Sequence, residues 1–131
     1  MEQKWSIHLI RWAAIFGLIG TYLGSSMSGK SDYSMTPVHA HILLVGWLSV
    51  FAWGIFYKSF KIKDKFKKLV AVQGWSAIIG SFGLTFGMWQ YWFNPFNLNE
   101  TLVMILFIVG GSVLLLAFFL FLILTFLTER N

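Results

Sequence analysis

The chain has 131 residues, 57% of them hydrophobic and only 11% charged, with a formal net charge of +5 and a mean hydropathy of +0.71. That composition excludes a soluble domain, which needs far more polar surface. The absence of cysteine excludes disulfides, iron–sulfur clusters and thiolate metal sites, leaving His, Met, Tyr and carboxylates as the available ligands.

Hydropathy predicts four membrane spans in one domain over 1–131, at about 5–25, 37–57, 69–93 and 101–127. The first span is longer than the core of a signal peptide and lacks a convincing cleavage site, so we expect a retained helix. It carries His8 and Arg11 near one end and a seam of small residues, Ala13, Gly17, Gly20 and Gly24. The second span opens on Thr36-Pro37, a capping hydroxyl followed by a first-turn proline. The third repeats the seam of the first as Gln73, Ser76, Gly80, Gly83, Gly87 and Gln90, at steps of three and four residues. In membranes such seams serve close helix packing, because lipid provides no hydrophobic drive between helices. The fourth span is nearly uniform Leu, Phe and Ile after Gly110-Gly111-Ser112, as expected of a helix facing lipid over much of its surface. Short connections make consecutive helices antiparallel neighbours. The predicted fold class is thus an all-α integral membrane protein, a four-helix antiparallel bundle with the bilayer as its first partner.

Basic residues set the orientation. Lys58, Lys61, Lys63, Lys65, Lys67 and Lys68 crowd the loop between the second and third spans. Together with Lys4, Arg11 and Arg130 they place nine of the ten basic residues on one side, leaving Lys30 on the other. The positive-inside rule then predicts both termini in the cytoplasm and a multi-pass protein of the cell inner (cytoplasmic) membrane. The lysine loop reads as a topology signal beside anionic lipid, and it is too short and too close to the membrane to suggest nucleic acid. Trp89, Tyr91, Trp92 and Phe93 form an aromatic belt at the outer interface.

His39 and His41 are the chemically informative pair. An ionisable residue in a membrane span is by default a functional candidate. Two residues apart on a helix of 3.6 residues per turn, the side chains point about 200° apart. They cannot chelate one ion without unwinding the turn, but they can address two sites on opposite faces. The bland alternative is a pair of wet interfacial histidines bonded to loop carbonyls. His8 lies near the opposite end of its span and is expected to be interfacial, beside Trp5 and Arg11.

The stretch His39-Ala40-His41, four residues, Gly46-Trp47, then Gly54 and Tyr57 resembles the tenth helix of the catalytic subunit of haem–copper oxidases. The likeness is nearest to the cbb-type oxidases and their nitric oxide reductase relatives. In that family the first histidine of the pair binds the high-spin haem and the second the low-spin haem. The resemblance implies that His39 and His41 are axial haem b ligands on opposite faces, and that Gly46 lets a flat porphyrin approach the backbone. It spans one helix of four. The family's catalytic subunit has many more helices, and this chain has no His-His pair or second histidine helix to complete a copper site, so the full oxygen-reduction site is not present.

The family subunit has approximate threefold symmetry built from three four-helix arcs. The resemblance therefore implies a homo-oligomer, a trimer ahead of a dimer, with each haem held by His39 of one subunit and His41 of the next. The expected function is a haem b protein for electron transfer or for haem or gas sensing, with a quinone or respiratory redox partner. The alternatives are a copper- or zinc-binding membrane protein in transport or oxidase assembly, using His39, His41, Met27 and Met35, or a non-catalytic structural subunit.

Overall fold

The computed structural model describes residues 1–129. Arg130, counted above toward the orientation, lies outside them. Four rods are long and apolar enough to cross a membrane: α1 (Glu2–Lys30), α2 (Thr36–Ser59), α3 (Lys67–Phe93) and α4 (Glu100–Thr125). The shortest, α2, has 24 residues and spans about 36 Å at 1.5 Å per residue, more than the ~30 Å hydrocarbon core.

Helix α1 overruns its predicted limits at both ends. It ends only where Ser31 adopts a left-handed conformation at φ 52°. There the Ser31 N–H donates to the Ser28 carbonyl and the Asp32 N–H to that of Met27, each at 3.2 Å, so the last carbonyls are satisfied. Lys30 belongs to this final turn, where a cation suits the negative end of the helix. The connection to α2 shrinks to Ser31–Met35.

Pro37 sits in the first turn of α2 as expected, but Thr36 does not cap it. Its hydroxyl donates to the Tyr33 carbonyl at 2.6 Å, so the preceding turn has taken the group the helix end would have used. Asparagines manage the α3–α4 connection. Asn94 takes a left-handed conformation, and its amide both donates to the Leu98 carbonyl and accepts from the Leu98 N–H, at 2.8 Å each. The Asn99 side chain accepts from the Thr101 N–H at 2.8 Å, a true N-cap of α4.

At the other end, which we call the terminal end, the lysine loop is clasped to both extremities of the bundle. Ile62 forms an isolated antiparallel bridge with Thr128, and its N–H donates to the buried Glu2 carboxylate at 3.2 Å. Lys61 pairs with Glu129 at 3.5 Å. Asp64, in a short 3-10 turn over Asp64–Phe66, pairs with Lys67 at 2.7 Å. Residues near the start of α1, the α2–α3 loop and the segment after α4 therefore share one end, and His39 and His41 lie toward the other.

The bundle is two antiparallel hairpins, α1 with α2 and α3 with α4, and the small-residue seams are their contact lines. In α3, a Cβ on Gly80 would lie 2.6 Å from the Leu114 backbone, and one on Gly87 would lie 2.7 Å from that of Phe107. Gly83 and Gly110 face each other, and a Cβ on Gly110 would fall 2.2 Å from the Gly83 carbonyl carbon. Gln73 links three helices: the Tyr57 hydroxyl donates to its Oε1 at 2.7 Å, and its Nε2 donates to the Ala117 carbonyl at 3.4 Å. Gln90, at the other end of the seam, makes no such link. It is fully buried and neither amide atom has a hydrogen-bond partner, at a cost of about 1–3 kcal/mol for such a group. Helix α4 buries little beyond Val103, Gly110, Leu114, Ala117 and Leu124, as its uniform composition implied.

Candidate functional site

The glycine seam of α1 exists to receive α2. His39, Leu43 and Trp47, four residues apart on one stripe of α2, lie over Gly24, Gly20 and Gly17 respectively. The His39 ring occupies the space left by the absent Gly24 side chain, where a Cβ would sit 2.7 Å from Cε1. Its Nδ1 lies 2.8 Å from the Gly20 carbonyl oxygen. His39 is thus a half-buried residue of the α1–α2 contact, fixed by a bond between helices.

His41 makes its bond within its own helix, with Nδ1 2.8 Å from the Pro37 carbonyl oxygen. It too is half-buried. The two histidines do not converge, as a separation of about 200° requires. They do share one chemical property. A carbonyl oxygen only accepts, so in both rings Nδ1 is the nitrogen that carries hydrogen. In the neutral ring this leaves Nε2 with a bare lone pair. Metal-bound histidines have this arrangement, with one nitrogen oriented by a carbonyl and the other free to coordinate. Each ring therefore offers one unpartnered nitrogen, the property an axial ligand needs; in His39 that Nε2 lies within the α1–α2 contact, 3.3 Å from where a Gly24 Cβ would sit.

Immediately after His41 the helix changes type. Ile42–Ser49 is a π-helix of eight residues, and the Ser49 hydroxyl follows the wider turn by donating to the Leu44 carbonyl at 2.8 Å. Such segments are rare and gather at functional sites. Each wide turn takes an extra residue, so every side chain from Val50 onward is rotated from where a continuous α-helix would place it. No residue type in ILLVGWLS announces this.

Gly46 lies inside the π segment, and its open side is filled from within the chain. A Cβ there would overlap the Phe16 ring, 1.8 Å from Cδ1. Phe16 of α1 over Gly46 and Trp47 of α2 over Gly17 form a reciprocal lock. In the single chain Gly46 serves helix packing, and a porphyrin in contact with it would have to displace Phe16.

The remaining candidates are dispersed. His8 is twelve to sixteen residues before the level of Gly20 and Gly24, about 18–24 Å along α1. Met27 and Met88 are buried core residues, and Met35 is half-buried beside that core. Among the described residues no group of three or more His, Asp or Glu side chains could hold a metal ion. Asp32, in the turn before α2, accepts the Ser34 N–H at 3.1 Å, which holds its carboxyl below the usual range. An apolar groove of about 480 Å³ opens between α1 and α3, with Val38 and Ile42 of α2 on its wall, but neither His39 nor His41 lines it. No protein-family model matches the chain, and neither a curated protein nor a solved structure matches it.

Proposed function

We propose that this chain is a haem b protein of the cytoplasmic membrane, related to the haem–copper oxidase core, in which His39 and His41 are axial ligands to two different haems. The observation that carries the reading is the pair itself: two opposed histidines, each with Nδ1 held by a backbone carbonyl and Nε2 left for a ligand. Haem b would supply one-electron transfer or an axial position for a small gas. The chain's own residues orient the rings: Gly20 and Gly24 hold His39, and Pro37 holds His41. The chain has no third histidine within reach, so two histidine ligands per haem would come from a symmetric homo-oligomer, a trimer ahead of a dimer, with His39 of one subunit facing His41 of the next.

The test is an oxidised and dithionite-reduced absorption spectrum of the detergent-purified protein, with a pyridine haemochrome assay. A sharp Soret band with reduced α and β bands is expected. A flat visible spectrum after haem supplementation overturns the reading. Bound copper or zinc in that colourless protein would favour metal transport or assembly, and a metal-free protein a structural subunit. A haem-loaded monomer would refute the shared ligation.

The orientation is testable because the chain contains no cysteine. Nine of ten basic residues lie toward the terminal end by sequence, so that end should face the cytoplasm. In intact spheroplasts, Ser34→Cys is expected to react with a membrane-impermeant maleimide, and Lys63→Cys only after permeabilisation. The reverse pattern would invert the topology.

A further inference from the structure

The groove between α1 and α3 changes character along its length. Toward the histidine end its wall is apolar, with Ile19, Phe82 and Phe86 prominent. Toward the terminal end it continues as a second cavity of about 570 Å³, and Trp12 and Ile15 line both. This second part is lined by Lys4, His8 and Arg11 and by no acidic side chain. Among the described residues neither Lys4 nor Arg11 forms an ion pair.

The three basic positions are spaced four and three residues apart, so they form one stripe on α1. Ile15 and Ile19 continue that stripe at steps of four. Across the groove, Trp75 stands opposite the cations, and Ile78 and Phe82 carry the α3 wall onward at steps of three and four. The floor is fixed by the Trp12 indole N–H, which donates to the Ser81 hydroxyl at 3.2 Å. Trp5 fits into the space left by Gly74 and meets the Trp75 ring edge-on at 5.5 Å. From Lys4 to Ile19 the stripe rises about 22 Å, close to the length of one phospholipid.

We propose that this groove binds one anionic phospholipid of the leaflet at the terminal end. Its phosphate lies among Lys4, His8 and Arg11, between the tryptophans of the interface, and an acyl chain runs along Trp12, Ile15 and Phe82. Charge selects the occupant. Cations without acidic partners at the headgroup level favour an anionic headgroup over a zwitterionic one, and the apolar continuation suits an acyl chain, which a free phosphate ion lacks. The site is separate from His39 and His41 and does not depend on haem.

The test is native mass spectrometry of the full chain, released from detergent micelles containing equal phosphatidylglycerol and phosphatidylcholine. One retained phosphatidylglycerol per chain is expected, preferred over phosphatidylcholine by at least tenfold. Lys4→Gln and Arg11→Gln alter exposed side chains and should each reduce the preference about fivefold, the effect of one basic residue near an anionic surface. Lys63→Gln with Lys65→Gln, in the lysine loop, should leave it unchanged. Equal retention of the two lipids overturns the proposal, as does a preference lost only with the loop variants. Retention of a quinone in place of phospholipid, or loss of lipid binding when chains associate through this face, also overturns it.

Discussion

His39→Ala and His41→Ala are each expected to abolish the Soret band of the purified protein, while His8→Ala keeps it. The fold should survive all three changes, which gives the result its meaning. In His39→Ala the Gly20 carbonyl loses one donor but retains its place in the α1 ladder, so the stability lost is about 0.5–1.5 kcal/mol for one hydrogen bond, with a small void beside Gly24. In His41→Ala only a bond within one helix disappears, and Pro37 remains in the first turn. Both variants should therefore run as the same oligomer with the same helical content. Added imidazole should restore part of the Soret absorption to His39→Ala by occupying that void. Full haem loading in both variants would end the ligand assignment. Loss of colour together with loss of the oligomer would point to a packing role for the histidines.

Gly110→Ala is expected to destabilise the bundle by about 1–3 kcal/mol, the usual cost of overpacking a close contact, whereas the neighbouring Gly111→Ala should be neutral. One methyl group is added in each case, at adjacent positions of the same helix. At position 110 that methyl meets backbone: Gly83 C at 2.2 Å, Gly83 O at 2.5 Å and the Leu84 nitrogen at 2.5 Å. Backbone cannot turn aside as a side chain can, so α3 and α4 must separate along a seam that also holds Gly80 against Leu114 and Gly87 against Phe107. At position 111 the methyl would lie 3.6 Å from Leu84 Cδ1, an ordinary contact. Thermal unfolding in detergent, followed by circular dichroism, distinguishes the two. Equal midpoints for the two variants would show that the α3–α4 contact is looser than the structure has it.

The four spans were legible in the sequence because long apolar runs have one stable answer in a bilayer, a helix with all its backbone bonds satisfied internally. The two glycine seams were legible for a similar reason, since their steps of three and four residues put them on single faces whatever they touch. The divergence of His39 and His41 followed from helical period alone. What each seam receives was not legible. That α1 presents Gly24 to His39 and Gly20 to Leu43, and α3 presents Gly83 to Gly110, depends on how the rods are set against one another. The same holds for Gly46: its missing side chain is visible in the sequence, but Phe16 of another helix decides what fills the space. The π segment over Ile42–Ser49 leaves no local mark, because its side chains are as compatible with an α-helix. The tertiary structure also decided which nitrogen of each histidine is occupied. The sequence determined that two imidazoles stand on opposite faces of one membrane helix. Only the packing of α1 against α2, and the first turn that Pro37 opens, determined that each turns Nδ1 to a carbonyl and keeps Nε2 free.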